Sequence, residues 1–262
     1  MSSVLVHDTT QEDVMTKTAW ITGSSSGIGR ALAKRLVKDG YRVAVSARSA
    51  DSLARLAAEH PGQILAFPLD VTDGKAVAEV VEAINTAIGP IDLAVFAAGS
   101  YTRDYAADFN VERTRQMFDL NVMGTANCLE AVMPRMIARR AGHIAVVASV
   151  TAYVGLPGAA SYGATKAALN SMCEALHPEL ASHGVTISVV NPGFVATPLT
   201  EKNDFPMPFL VSSEEAAETI AKGLSGGKFE VVFPWKMALA IRLLHALPHR
   251  LRFALTRKML RA

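Results

Sequence analysis

Cysteine is scarce in this chain: there are two, Cys128 and Cys173, both in stretches with helical periodicity. Two thiols cannot frame a disulfide-stapled fold, and they predict free cysteines in a reducing compartment. The chain also lacks an apolar run of membrane-spanning length. Its longest uncharged stretch, Ala141 to Thr165, is broken by Ser, Thr, Tyr, Gly and Pro, which argues against a bilayer helix. Met1 to Thr18 holds Gln11, Glu12 and Asp13 and no apolar core, so no secretory signal is predicted and the expected location is cytoplasmic. Internal repeats, low-complexity tracts and Pro/Gly/Ser linkers are missing, which predicts a single domain. The histidines, His60, His177 and His183 among them, show no ligand spacing with Cys, Asp or Glu, so no metal site is expected. The C-terminus lacks acid. From Trp235 to Ala262 there are seven Lys+Arg and no Asp or Glu, whereas the residues before it hold 19 Lys+Arg against 24 Asp+Glu. A basic tail on an acidic body bears on partners more than on fold.

What is present points to a globular α/β protein. Half of the 262 residues are hydrophobic and 19% are charged, enough to fill a sizeable core. Residues 1 to 16 read as a flexible extension. Beyond them, seven β-prone runs ("TAWITG", "YRVAVSA", "QILAFPL", "IDLAVFAAG", "GHIAVVAS", "VTISVVNP" and "FEVVF") alternate with helical patterns such as "RALAKRLVKDG". Most of the runs are almost wholly apolar, as parallel strands covered on both faces are. The alternation predicts a single-domain, doubly wound Rossmann fold over residues 17–234, with a seven-stranded parallel sheet flanked by helices. Its ligand crevice would lie at the carboxyl ends of the strands. Residues 235–262 form a helical extension.

The first strand runs into "TGSSSGIGRAL". Gly23, Gly27 and Gly29 allow a tight turn and close approach of the backbone to a phosphate. The helix starting near Gly27 then aims its free N–H groups at the anion, and Ser24, Ser25 and Ser26 can add hydroxyl donors. Further along, "SYGATKAAL" puts Tyr162 and Lys166 four residues apart, hence on one helix face. A fixed ammonium beside a phenol favours the phenolate and moves its pKa from about 10 towards the working range. Tyr162 could then act as a general acid or base. Ser149, closing the apolar run "HIAVVAS", can donate to a substrate oxygen.

Together, "TGSSSGIG", the Ser149 and Tyr162-Gly-Ala-Thr-Lys166 spacing and "NPGFVAT" resemble the short-chain dehydrogenase/reductases over about residues 17 to 233. The resemblance implies an oxidoreductase that moves a hydride between a nicotinamide and a carbonyl or alcohol. Ser149, Tyr162 and Lys166 would be catalytic, with Asn121 of "FDLNVMGT" kinking its helix and holding a proton-relay water. The same resemblance assigns cofactor contacts to Gly23, Ser25, Ser26, Gly27, Ile28 and Gly29 in the turn. It adds Asp70 and Val71 after the third strand, Ala98 and Gly99 after the fourth, and Tyr162 and Lys166. Pro192, Gly193, Val195 and Thr197 would bend over the nicotinamide. Asp70 also reads as an N-cap for the helix after it. The family's usual Asn-Asn-Ala-Gly is "FAAG" here, Phe96 to Gly99, which puts local bracing in doubt.

At the end of the second strand the acid that would select NAD(H) is replaced by Ala47, with Arg48 next. A guanidinium suits a 2′-phosphate, so NADP(H) is the expected cofactor. The loop "PLTEKNDFPMPFL", with Phe205, Met207, Phe209 and Leu210, predicts an apolar lid over a lipophilic substrate. Pro178 is expected to kink the Tyr162 helix, and Pro248 to divide the tail into two helices. In the second, Leu251, Leu255 and Met259 share one face and Arg250, Arg257 and Arg261 another. Such a helix suits peripheral contact with anionic lipid, or packing on the cleft or a partner subunit; no nucleic-acid motif accompanies the charge. By resemblance the chain forms a homodimer or homotetramer through helices near 109–138 and 160–183. Competing readings are a binding-only sensor or scaffold that kept the fold, and a sugar-nucleotide epimerase, which would need a larger C-terminal domain.

Overall fold

The computed structural model describes residues 16–201, 204 and 206–260. The N-terminal stretch 1–15, Phe205 and Arg261, on which expectations above rest, lie outside the described residues. The strands are β1 (Thr18–Thr22), β2 (Arg42–Ser46), β3 (Ile64–Ala66), β4 (Ile91–Phe96), β5 (His143–Val147), β6 (Thr186–Pro192) and β7 (Glu230–Phe233). They form one seven-stranded sheet in the order β3-β2-β1-β4-β5-β6-β7, with every pairing parallel. The order reverses between β1 and β4, and a ligand crevice opens at such a switch point. Helices α1 (Gly27–Lys38), α2 (Ala50–Glu59), α3 (Gly74–Ile88), α4 (Val111–Phe118), α5 (Gly124–Arg139), α6 (Ala160–Ser182) and α7 (Ser213–Ser225) cover the sheet. Helices α8 (Trp235–Ala246) and α9 (His249–Arg257) follow β7, divided at Pro248 as the sequence predicts.

The alternation of a strand's side chains builds two cores. On one face Ala19, Ile21, Val43, Val45, Leu93 and Val95 pack beneath α1 and α7. On the other, Trp20, Phe96, Ile144, Val146, Ile187 and Val189 pack beneath α3, α5 and α6. Trp20 and Phe96 meet edge to face at 5.6 Å, and the Trp20 indole N–H donates to the Ser46 hydroxyl at 3.0 Å, so the one polar atom of that ring is satisfied. Cys128 and Cys173 are buried and free in this second layer. Helix α6 runs through Pro178 without interruption. A third, smaller apolar cluster joins Val150 and Val154 to Met237 and Ile241 of α8, which seats the C-terminal extension beside the end of β5.

Candidate active site

The turn after β1 explains its own glycines. Gly23 has φ +72, and a Cβ there would lie 2.7 Å from the Ala97 backbone. A Cβ at Gly29 would lie 2.5 Å from the Gly23 carbonyl oxygen, so the turn can close only on hydrogen. Helix α1 starts with no side-chain cap on its first turn and no acid in it. Its first intrahelical bond is Arg30 N–H to the Ser26 carbonyl at 3.3 Å, which leaves the preceding amides facing the cleft. This is an open positive helix end, the chemistry that holds a pyrophosphate. Ser24 departs from expectation. Fully buried, it donates its hydroxyl to the Ile21 carbonyl at 2.8 Å and so supports the turn from behind.

A polar cleft of about 240 Å³ runs from this turn across the sheet end. Gly23, Ser25, Ser26, Gly27, Ile28, Gly29, Gly99, Ser149, Tyr162, Lys166, Pro192, Gly193, Val195 and Thr197 line it. Ala97 takes the place expected of Ala98, and Arg48, Asp70, Val71 and Asn121 are not in its wall. Arg48 and Asp70 stand at the ends of adjacent strands, beyond the cleft. The Asp70 carboxylate accepts from the Thr72 amide at 3.0 Å and the Thr72 hydroxyl at 2.8 Å. The amide first, then that hydroxyl and the Arg48 charge, hold its pKa below the ordinary value against partial burial. Asp70 does not cap the next helix; Asp73 does, accepting from Ala76 N–H.

Asn121 lies in a π-helical turn, Asp119–Met123, between α4 and α5 and is fully buried. Its amide accepts from Ser100 N–H at 2.8 Å and donates to the Ser100 carbonyl and the Thr165 hydroxyl. It therefore clamps the segment after β4 onto α6. The bracing put in doubt by "FAAG" comes from Thr22, whose hydroxyl accepts from the Ala97 and Ala98 amides at 3.1 and 3.3 Å. Asp104, a residue the sequence did not single out, accepts from the Ala160 and Ser161 amides at 2.8 and 2.7 Å. It caps α6 just ahead of Tyr162. Thr200 ties the loop after β6 together: its hydroxyl accepts from Thr197 N–H at 3.0 Å and reaches the Val195 carbonyl at 2.6 Å.

Tyr162 and Lys166 project from the first turns of α6 with Nζ 5.6 Å from the ring centroid. Lys166 is 5% exposed and donates to one acceptor, the Val147 carbonyl at 2.9 Å. Two of its three protons remain for a ligand. Burial pulls the Lys166 ammonium down to about 8. Burial also pushes the Tyr162 phenol up to about 12, with the Ser149 hydroxyl opposing and Tyr101 adding to the rise. Spacing beside Lys166 predicts a depressed phenol; without a bound cofactor, desolvation is the largest cause and raises it. Tyr101 packs edge to face on Tyr162 at 5.0 Å and fixes the ring. Ser149 is held from behind: its N–H donates to the Asn191 amide oxygen at 3.1 Å. Asn191 in turn donates to the Tyr153 hydroxyl at 2.8 Å, and that phenol donates to Glu230, which pairs with Arg242 of α8. Asn191 stands inside "NPGFVAT" and was the findable member of this chain, since an amide ending an apolar strand needs partners.

A second cavity, about 530 Å³, opens on the far side of Ser149 and Tyr162. Val150, Leu156, Phe194, Met237, Ile241 and Met259 make much of its wall. Pro206 and Pro208 contribute from the loop, whereas Phe209 and Leu210, expected beneath it, are exposed. A family model described as short chain dehydrogenase matches residues 17–206. This chain belongs to the short-chain dehydrogenase family. It is 39% identical to an uncharacterized oxidoreductase of Myxococcus xanthus over 93% of this chain and 97% of that protein. It is 34% identical to an uncharacterized oxidoreductase of Staphylococcus epidermidis over 81% and 92%. Among solved structures, a short-chain dehydrogenase from Streptomyces avermitilis superposes with a TM-score of 0.79 at 26% identity, over 93% of this chain and 97% of that one. ElxO with NADP bound superposes at 0.75 and 25%, over 83% and 98%. As a short-chain dehydrogenase the chain is an NAD(P)-dependent oxidoreductase. Its matched segment holds the whole of the polar cleft and most of the apolar cavity's wall, while Met237 and Ile241 of α8 and Lys258 and Met259, just past α9, close that cavity from beyond it.

Proposed function

We propose that this short-chain dehydrogenase uses NADP(H) to interconvert a lipophilic carbonyl compound and its alcohol through Ser149, Tyr162 and Lys166. The observation that carries the reading is shared walls: Ser149 and Tyr162 line both the polar cleft and the apolar cavity. Gly193, Leu199 and Thr200 also line both, but the Thr200 hydroxyl is spent on the Thr197 amide and the Val195 carbonyl, so a substrate carbonyl in the second would meet a nicotinamide in the first beside the Ser149 and Tyr162 hydroxyls. The nicotinamide supplies or takes the hydride. In reduction Ser149 donates a hydrogen bond to the carbonyl oxygen and Tyr162 gives that oxygen its proton. A phenol at about 12 is protonated throughout the neutral range, so the acid form is always at hand. The two unused Lys166 protons suit ribose hydroxyls, and the open end of α1 suits the pyrophosphate. The exposed Arg48 guanidinium past β2 suits a 2′-phosphate, and the NADP held by ElxO supports that choice. Asn121 acts as a clamp behind the lysine.

The apolar wall supports a lipophilic substrate, and the exposed Phe109, Val111 and Met123 around α4 support a homodimer or homotetramer on that side. Among the described residues no helix is long and apolar enough to cross a membrane, and contact with a bilayer would be peripheral, through the tail. The test is NADPH oxidation with unbranched aldehydes and ketones of increasing chain length. Rising kcat/KM with length supports the reading. Preference for small polar ketones overturns the lipophilic site. Turnover untouched by Tyr162→Phe overturns the mechanism, and tight cofactor binding without any turnover favours a sensor.

A further inference from the structure

The two C-terminal helices do not bury all their apolar residues. Helix α8 turns Met237, Ala238 and Ile241 inward and leaves Trp235, Leu239 and Leu243, one turn apart from each other, exposed at 69, 50 and 60%. In α9 only Thr256 is buried, and Leu251, Phe253 and Leu255, with Met259 just past it, are all exposed. Phe209 and Leu210 of the preceding loop join them, with Lys236 Nζ within 5.9 Å of both the Phe209 and Trp235 rings. The surface is held rigid: Arg252 donates to the His245 and Leu247 carbonyls, and His245 Nδ1 bonds the Tyr153 carbonyl at 2.7 Å. Lys236, Arg250, Arg257 and Lys258 are exposed on it and enter no ion pair among the described residues.

We propose that α8, α9 and the 206–210 loop form a docking face for an anionic lipid bilayer, which passes its lipophilic substrate directly into the apolar cavity. Exposed Leu, Phe and Trp bracketed by cations, with no acid on either helix, are complementary to a negatively charged interface. A second copy of the chain is disfavoured by the same charge, because an isologous contact would set this cationic face against itself. The cavity opens among these elements: Met237 and Ile241 of α8, Lys258 and Met259 at the end of α9, and Pro206 and Pro208 all line it. The transfer step rests on the lipophilic-substrate reading; the docking step does not.

Docking is therefore tested without cofactor or substrate, by co-sedimentation of the full chain with phosphatidylcholine vesicles and with vesicles of about one third phosphatidylglycerol. The protein should pellet with the anionic vesicles and release as salt is raised. Arg250→Glu with Arg257→Glu, and separately Leu251→Ser with Phe253→Ser, should each weaken binding roughly tenfold or more. Both pairs are solvent-exposed, and retained NADPH turnover of a short soluble aldehyde verifies the fold. Equal pelleting with neutral and anionic vesicles, or none, overturns the proposal. So does a dimer that Leu251→Ser with Phe253→Ser dissociates, which would make the face a subunit contact. If docking stands but a long-chain aldehyde dissolved in anionic vesicles reacts no faster than in neutral ones, the transfer step fails alone.

Discussion

The cofactor cleft and the substrate cavity share Ser149 and Tyr162 yet are built on opposite principles. The cleft is made of backbone: a turn closed on glycine, an open helix end and a loop tied by Thr200. The cavity is made of side chains: Val150, Leu156, Phe194 and Leu199 within the family-matched segment, with Pro208, Met237 and Ile241 and the Lys258–Met259 end of the chain added from beyond it. Backbone sites tolerate little change because no side chain can be traded within them, whereas a wall of Leu, Ile and Met can be reshaped residue by residue. The comparison teaches that the first region sets which reaction occurs and the second sets on what. Changes at the shared hydroxyls should abolish turnover for every substrate, and changes on one side should affect only that side.

The largest effect is expected at the junction. Tyr162→Phe removes the proton donor and keeps the ring that packs on Tyr101, so kcat should fall about 10³-fold. NADPH affinity, by fluorescence titration, should stay within about threefold, because the lost hydroxyl is a proton donor and not a phosphate contact. A parallel collapse of cofactor binding would show that the two regions are not separable at this residue. On the cleft side, Arg48→Ala should lower kcat/KM for NADPH by roughly 10- to 100-fold and leave NADH nearly unchanged. Equal losses with both cofactors would mean that Arg48 does not read the 2′-phosphate.

The contrast also decides what the sequence could reveal. Tyr162 and Lys166 are legible because four residues bring them to one helix face, and the glycine turn because its geometry is local. Most of the strands and helices follow from apolar periodicity for the same reason. Thr22 and Asp104 are not legible, since they act on amides 75 and 57 residues away and no short-range pattern announces them. The chain from Asn191 through Tyr153 and Glu230 to Arg242 is non-local in the same way. The loop was legible as apolar but not in its direction, so the prolines face the cavity where Phe209 was expected. The tyrosine pKa is not legible for a physical reason: spacing shows a neighbouring charge but not desolvation, and burial is the largest cause of the raised value.

Lys166 sharpens the comparison as a matter of stability. Its folded-state value of about 8 lies below the ordinary 10.5, so near pH 7 the fold carries a charged group it would shed more readily than the unfolded chain does. The unfolded state binds more protons between those two values, and stability of the cofactor-free protein should therefore rise with pH across that window. Lys166→Met removes the buried charge but leaves the Val147 carbonyl unpaired, which offsets about 1 kcal/mol. Near pH 7 the variant should be more stable by ~2 kcal/mol, read by urea denaturation, and the difference should shrink towards pH 10.5. It should also be inactive. A destabilised variant at neutral pH would mean that Lys166 is already fully compensated without a cofactor.

The smallest effect should arise on the cavity side and is the most discriminating. Ile241 lines the apolar cavity and is absent from the cleft. Ile241→Phe puts a ring into space now open to a substrate chain. For a long unbranched aldehyde kcat/KM should fall about tenfold, the usual scale for a misfit of a few carbons in an apolar pocket. A two- or three-carbon aldehyde, too short to reach that wall, should be turned over as before, and NADPH affinity should not move. Because Ile241 also packs against Val150 and Val154, the variant's thermal midpoint must be measured beside its kinetics. Leu156→Phe, at a less buried part of the same wall, gives the same test with less strain on the core. Should both variants slow short and long aldehydes alike, the cavity would be acting through Ser149 and Tyr162 and not through substrate fit. Reaction and selectivity would then not be divided between the two regions as the walls suggest.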